Sequence, residues 1–371
     1  MRATRALIRL DHFDHNIAQI RARVGSERLL CLAVKADAYG HGIVEIGRAA
    51  ASAGVDYLAV ATVDEGVELR YASIDLPILL YSLATPGEMQ AVVSNGITPI
   101  LSDRNQINDY NNEARSQGAE LPVHMKIDTG MGRIGCRPEH AVELARAVVD
   151  ADALTLGGVS THFAGADMED TAYTKRQMRR FEEAVEAIRE AGIEPGIVHA
   201  ANSGGVLGHP DSWYDMVRPG ILAYGYAPAA EQTGIVEVRP VMELVSQVVF
   251  IKEVRAGESI SYGMTWTAPS TTHIGTVPAG YGDGYNRLLS NRGEVSIAGV
   301  RYKIVGRVCM DQFMVDLGPV LSVERYQEVT LFGSEAGAPD AAELAELCET
   351  IPYEITCNVS KRVPRIYLEN R

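Results

Sequence analysis

Apolar and polar positions along the chain fall into two textures. From about Arg28 to Tyr226, short runs rich in Val, Ile and Leu alternate with segments whose apolar residues recur at helical spacing. That alternation marks repeated βα units around a parallel sheet, whose strands are covered on both faces and so read as continuous apolar runs. The expected strands are 29–34, 57–61, 78–81, 98–101, 123–127, 154–160, 197–199 and 216–217. Between them, residues 174–191 place Met178, Phe181, Val185 and Ile188 on one stripe with Glu and Arg opposite, as an outer helix requires. Pro86 and Pro138 stand where helices would start, and Asp103 where a side chain would cap one. About eight such repeats predict a closed (β/α)8 barrel of the TIM type, with an open doubly wound sheet as the competing architecture.

After about Glu231 the strands become closely spaced and are separated by Gly-rich turns: 244–254, 273–277, 294–297, 302–305, 314–317 and 329–332. One helical stretch, 340–349, interrupts them, and the apolar segment 1–10 can pair in as an extra strand. The expected organisation is therefore a barrel over 11–232 followed by a mostly β domain over 233–371. A length of 371 residues suits a barrel-sized unit plus a smaller one.

Charge and cysteine usage narrow the partners. A formal net charge of -14 argues against nucleic acid or an anionic membrane as a partner, so any bound anion must meet a local positive site. Cys31, Cys136, Cys309, Cys348 and Cys357 show neither a CxxC nor a repeated spacing, which argues against a disulfide framework or a zinc site and fits a reducing cytoplasm. The basic first ten residues lack the apolar core of a secretory signal, and no run of about 18 apolar residues predicts a membrane span.

The strongest local feature is Val34-Lys35-Ala36-Asp37-Ala38-Tyr39-Gly40-His41-Gly42, an apolar strand running into a lysine and then into small, turn-forming residues. In a barrel the active site lies at the C-terminal ends of the strands, so Lys35 is placed to attack a carbonyl, and apolar neighbours would favour its neutral amine. Alone, Lys35 reads more readily as a solvated strand-end lysine. The other strand ends change that picture: Lys126-Ile-Asp128 running to Arg133, Thr161-His162-Phe163, His199 to Gly205, and Arg218-Pro219-Gly220-Ile221 all fall at the same edge. Ser203 and Gly204, with the backbone at Gly220 and Ile221, would offer N–H groups to a phosphate between the seventh and eighth strands.

Together with Ser261-Tyr262-Gly263, Gly280-Tyr281-Gly282-Asp283-Gly284-Tyr285 and Cys309-Met310-Asp311-Gln312, these segments resemble the alanine racemase family from Lys35 to Tyr353. The resemblance implies pyridoxal 5'-phosphate (PLP) as cofactor, held by Lys35 as a Schiff base. It implies that Tyr39, Ser203, Gly220, Ile221 and Tyr353 hold the phosphate, with Asn202 beside them, and that His162 lies against the pyridine ring. Arg218 would face the pyridine nitrogen with His199 behind it. Arg133 would bind the phenolic oxygen and the substrate carboxylate, with Met310 and Tyr281 also at the substrate. Tyr262 would be the second base, and Lys126 matches a lysine that is carbamylated in relatives. A head-to-tail homodimer follows from the same resemblance, with Tyr262 and Met310 entering the other chain's site.

Inverting an α-carbon needs a proton acceptor on one face and a donor on the other, which Lys35 and Tyr262 supply. Tyr262 then needs nearby positive charge, for which His162 and Arg218 are the candidates. Asp37 and Gly282 depart from the family's more usual asparagine and alanine, and Arg307 and Ile351 match positions at the substrate entrance. A PLP decarboxylase or aldolase would need Lys35 but no donor opposite it, and a PLP-binding carrier would need only the barrel. Alanine is the implied substrate, with serine or a broader range left open, and D-alanine for cell-wall peptide is the implied role.

Overall fold

The structure, a computed structural model, describes residues 2–369. After a first strand, β1 (Arg5–Arg9), eight parallel strands close into a barrel: β2 (Leu29–Ala33), β3 (Tyr57–Val60), β4 (Ile78–Leu80), β5 (Ile97–Leu101), β6 (Leu121–Lys126), β7 (Leu154–Ser160), β8 (Ile197–His199) and β9 (Met216–Val217). The closed barrel replaces the open-sheet alternative. The outer helix Ala172–Glu190 buries Met178, Phe181, Val185 and Ile188, and Asp103 caps the helix Arg104–Gln117 by accepting the Gln106 N–H at 3.0 Å. Pro138 opens a short 3-10 turn that leads into the helix Ala141–Val149. Pro86 lies in the turn ahead of the helix Met89–Ser94, not at its first residue.

The period of two along each strand sorts residues between the helices and the barrel axis. Leu32, Leu58, Ile78, Leu101, Val123 and Val159 face outward into the main core. Cys31, Ala59, Leu79, Ile100 and Met216 form a separate apolar cluster inside. Ile100, His124 and Gly158 share one register across β5, β6 and β7, while Lys126, Ser160 and His199 share the next level up. The interior is thus apolar on the side of β9 and β2 to β5 and polar on the side of β6 to β8.

Beyond the barrel come β10 (Met242–Gln247), β11 (Phe250–Val254), β12 (Ser259–Ile260), β13 (Trp266–Thr267), β14 (Thr272–Val277), β15 (Glu294–Ile297), β16 (Val300–Val305), β17 (Phe313–Gly318), β18 (Glu328–Phe332) and β19 (Arg365–Leu368). All but the β12–β13 pair join β1 in one sheet of order β11-β14-β17-β16-β15-β18-β10-β1-β19. The apolar run 244–254 is two strands and not one. Val248 N–H turns to Gln327 O and Val249 N–H to Thr276 O, so the chain changes pairing partner midway, from β18 to β14. β1 lies antiparallel to β10 and parallel to β19.

Between β2 and the helix Ile43–Ser52 the chain makes one turn of left-handed helix, with φ of 54, 55, 52 and 55° at Ala36, Asp37, Ala38 and Tyr39. This handedness costs about 1–2 kcal/mol per residue, so neighbours must hold it. Glu65 accepts the Ala36 N–H at 2.6 Å, and Asp37 Oδ1 accepts the Ile43 N–H at 2.7 Å. Tyr39 stacks on the buried Tyr224 ring at 4.8 Å. Arg365 of β19 donates from Nε and Nη2 to Gly40 O at 3.1 and 3.0 Å. His41 closes the turn with Nδ1 at 2.9 Å from Ala38 O, and its burial pushes its pKa down to about 4.

Two stability predictions follow from this turn. Gly40 (φ +84°) has Thr356 O where a Cβ would stand, whereas Gly54 (φ +76°) has open space there. Gly54→Ala should cost about 1 kcal/mol and Gly40→Ala about 3 kcal/mol or more in denaturant unfolding; equal losses would remove the Thr356 contact as the constraint. Because His41 titrates lower in the fold than its ordinary 6.5, the unfolded chain binds the proton first as pH falls. Its contribution is complete above about pH 6.5 and is lost as pH falls toward about 4. The unfolding midpoint should drop from pH 7 to pH 5, less steeply in a His41→Asn variant.

Candidate active site

The C-terminal ends of the barrel strands converge on a cavity of about 430 Å³, within the usual range for small-molecule sites. The turn after β2 contributes Lys35 and Tyr39, the end of β6 and its loop Lys126 and Arg133, and the end of β7 Ser160 and His162. The loop after β8 contributes Asn202 and Ser203, the segment after β9 Arg218, Gly220 and Ile221, and the helix Pro352–Cys357 adds Tyr353. In a chain of net charge -14, this lining carries Lys35, Lys126, Arg133 and Arg218 against a single carboxylate, Asp167. It is a site for an anion.

Crowding of cations sets the protonation of the lysines. Burial first, then Arg133, holds the Lys35 ammonium below its ordinary range, with Glu65 opposing. Burial, then Arg218 and Arg133, holds Lys126 well below its own, with Asp128 opposing. Both are biased toward the neutral amine, which is the nucleophilic form.

Arg218 is fully enclosed and spends its donors on named acceptors. Its Nη2 donates to Thr161 O at 2.8 Å and to Ala200 O at 3.0 Å, and lies 3.2 Å from His162 Nδ1. Its Nη1 donates to His199 Nδ1 at 2.9 Å, and His199 Nε2 lies 2.8 Å from His124 Nδ1. Burial, followed by Arg218, keeps His199 well below its ordinary pKa; burial, then Lys126 and Arg218, does the same to His162. His199 therefore belongs to the site from behind its wall, bonded to Arg218.

The opposite corner is made of hydroxyls and close backbone. Ser203 Oγ accepts the N–H groups of Gly220 at 2.9 Å and Leu222 at 3.4 Å, and Asn202 Oδ1 caps the helix Ser203–Gly208 at Gly205 N, 3.0 Å away. The Tyr39 and Tyr353 rings lie 5.8 Å apart, and burial raises both phenol pKa values, which keeps them as neutral O–H groups. A Cβ at Gly220 would collide with Tyr39 Oη, so only glycine leaves this corner open.

Tyr262, Tyr281 and Met310 do not line the cavity. They are 75, 44 and 52 % exposed, and they gather in an exposed knot on the β-rich part. Ser261 Oγ accepts the Arg307 N–H at 2.9 Å, Tyr281 N–H donates to Cys309 O at 3.0 Å, and Gly282 N–H to Met310 O at 2.9 Å. Ile351 is likewise exposed, not packed.

Three residues near the site went unread in the sequence. Tyr81, ending β4, lines the cavity under the Arg218 guanidinium, 5.9 Å from its ring centroid. Glu65 ties the left-handed turn to the end of β3 through Ala36, Ala61 and Thr62. His124 stands two residues before Lys126 in β6, and that spacing of two was the available signal for its inward direction. The departures at 37 and 282 have local accounts. Asp37 needs only an acceptor oxygen for Ile43, which asparagine also carries. A Cβ at Gly282 would stand 2.9 Å from Arg362 Nη1, and Arg362 bridges Asp283 and Asp311 at 2.7 and 2.6 Å beside the exposed knot.

Comparison with known proteins agrees with this layout. Residues 8–228 match the family described as alanine racemase, N-terminal domain, and residues 241–367 match alanine racemase, C-terminal domain. An alanine racemase of Treponema denticola is 46% identical, with 100% of this chain and 99% of that protein covered; one of Symbiobacterium thermophilum is 43% identical, with 99% and 97% covered. Among solved structures, alanine racemase of Clostridium difficile 630 superposes with a TM-score of 0.95 at 37% identity, covering 100% of this chain and 97% of that one. The enzyme from D-cycloserine producing Streptomyces lavendulae gives 0.95 at 36%, covering 100% and 98%. No helix among the described residues is long and apolar enough to cross a membrane. With both domains matched in order and full-length relatives at this identity, the chain belongs to the alanine racemase family, a family of isomerases.

Proposed function

We propose that the chain interconverts L- and D-alanine with PLP as cofactor, in the cytoplasm, and so supplies D-alanine for cell-wall peptide. The observation that carries this reading is the cavity in which Lys35, a buried lysine of depressed pKa, stands with a second such lysine, Lys126, and the cations Arg133 and Arg218. The lining suits the group: a neutral amine for its aldehyde, a glycine-opened corner of hydroxyls for its phosphate, and a donor-only guanidinium for its ring nitrogen.

In this reading Tyr39, Ser203, Gly220, Ile221 and Tyr353 hold the phosphate, and Asn202 fixes the helix that carries Ser203. Arg218 faces the pyridine nitrogen, with His199 behind it and His162 beside the ring. The bound cofactor supplies a conjugated ring that spreads the electron pair left at the α-carbon. Lys35 Nζ then takes or returns the α-proton on one face. Arg133 and the backbone of Met310 hold the substrate carboxylate, with Tyr281 nearby. Lys126, biased to a neutral amine, is suited to carbamylation by CO2, which would release a proton and put an anion beside Arg133.

Tyr262 serves the second face, and it comes from another copy of the chain, because it is 75 % exposed and lies outside its own cavity. The division at residue 232 gives the barrel, 11–232, the cofactor, and the part 233–371, extended by residues 1–10, the task of delivering Tyr262, Tyr281 and Met310 to a partner in a homodimer. Tyr262 and Tyr353 then leave room for little beyond a methyl group, although one hydroxyl is discriminated by only about 1–3 kcal/mol.

The direct test is chiral chromatography of L-alanine incubated with the PLP-supplemented protein. Approach to equal enantiomers, lost in Lys35→Ala and slower with L-serine, is expected. Release of CO2 without D-alanine would replace racemisation by decarboxylation. The shared site has a sharper test. Lys35→Ala and Tyr262→Phe homodimers should each be nearly inactive. After subunits are mixed one to one, half of the dimers carry one intact site of two, so about a quarter of wild-type activity should return. No recovery would place Tyr262 in its own chain's site, and an active Tyr262→Phe homodimer would remove it from the chemistry.

A further inference from the structure

We infer that His124, which does not line the cavity, is a positioning residue: it fixes the tautomer of His199 and thereby the aim of Arg218 at the site. The inference rests on the reading above for what Arg218 meets there, and on the hydrogen-bond chain for everything else. A guanidinium has five N–H donors and no acceptor. Since Arg218 Nη1 lies 2.9 Å from His199 Nδ1, that nitrogen must accept, and the proton of the neutral ring must sit on Nε2. Nε2 then needs an acceptor, and His124 Nδ1 stands 2.8 Å away. His124 in turn carries its own proton on Nε2. The chain runs one way, from cation to second imidazole.

The barrel is shaped to hold that second ring. The neighbouring strand β7 carries Gly157 and Gly158 beside it. A Cβ at Gly158 would stand 2.7 Å from His124 Cε1 and Nδ1, besides 2.6 Å from Ile197 O, and one at Gly157 3.3 Å from His124 Cδ2. The β6–β7 register also shifts between Val123 and His124. Two glycines and a bulge in the middle of a barrel strand weaken it, a cost that an apolar filler at position 124 would not require. His124 is kept neutral by burial and then by Arg218, with its pKa pushed down to about 3, so it offers an acceptor at every pH where the fold survives. Without that acceptor the Nε2 proton of His199 is buried with no partner, which offsets part of the preference that Arg218 imposes and lets the other tautomer, whose Nδ1–H opposes the Arg218 N–H, become populated. The guanidinium would then lose one of the contacts that set its plane.

The test uses the full chain with isotope-labelled histidines, first without cofactor. His199 should hold its proton on Nε2 in wild type. It should do so equally in His124→Asn, whose Oδ1 can replace the imidazole acceptor, and should populate both tautomers in His124→Leu. Gly157→Ala, which sets a methyl 3.3 Å from His124 Cδ2, should loosen the same preference by an independent route if His124→Leu does not fold. With PLP bound, His124→Leu should lower kcat about tenfold with KM for alanine little changed and shift the cofactor's absorption, while His124→Asn recovers most of both. An unchanged His199 tautomer in His124→Leu would overturn the inference, as would equal losses in the leucine and asparagine variants. Failure of the wild-type chain to racemise alanine would sink the functional reading alone, since the tautomer measurement without cofactor decides this one.

Discussion

A guanidinium enclosed at the mouth of a barrel is the constraint on which the rest of the site depends. Arg218 stays positive wherever the protein is folded, so its surroundings must consist of acceptors. Two backbone carbonyls and two imidazole nitrogens meet that demand. Burial first and then this charge suppress protonation of His199 and His124 and hold Lys126 well below its ordinary range, and burial, Lys126 and Arg218 do the same to His162. Burial and one enclosed charge together thus bias the groups around it toward their neutral forms. The wall it makes is donor-only toward the cavity and acceptor-lined behind.

The position of Lys35 depends on a second constraint, which the barrel cannot meet alone. A left-handed turn of four residues is unstable in isolation, and here it is held from three directions: Glu65 from the helix Val63–Tyr71 that follows β3, Tyr224 from beneath, and Arg365 from β19. Arg365 also binds the carbonyls of Val359, Ser360 and Val363, so its guanidinium joins the end of the chain to the segment that carries Lys35 and Tyr39. The β-rich part therefore completes the barrel's own site as well as carrying the exposed knot. Tyr353 enters the cavity by the same attachment.

Legibility in the sequence followed the length and redundancy of each signal. The eight barrel strands could be read because burial on both faces leaves uninterrupted apolar runs, and the lysines, arginines and histidines at their ends stood out against them. The break at Val248 could not be read, since the apolar pattern continues while only the pairing partner changes. Nor could β19 or the helix Pro352–Cys357, which at four and six residues are too short to show a period. Tyr81, Glu65 and His124 were missed for a different reason. Each is a single polar residue whose role is set by a partner about 20 to 140 positions away, and no local pattern encodes a distance of that kind.

The knot of Tyr262, Tyr281 and Met310 is built as a surface meant to be covered. Large apolar side chains held at 44 to 75 % exposure cost solvation, and an unused surface would be expected to let them fold back. Instead the backbone beneath is fastened. Ser261 and Met264 are held at φ of 67 and 49°, the Tyr262 turn is tied to Arg307, and Asp283 and Arg362 lock the Tyr281 turn to Asp311. Strain and ion pairs spent on keeping hydrophobic residues outward make sense where those residues must arrive in a defined geometry. The phenols of the cavity, Tyr39 and Tyr353, stand at the corner proposed for the phosphate. On the proposed reading, the exposed Tyr262 of one copy and the cavity of another are two halves of one site.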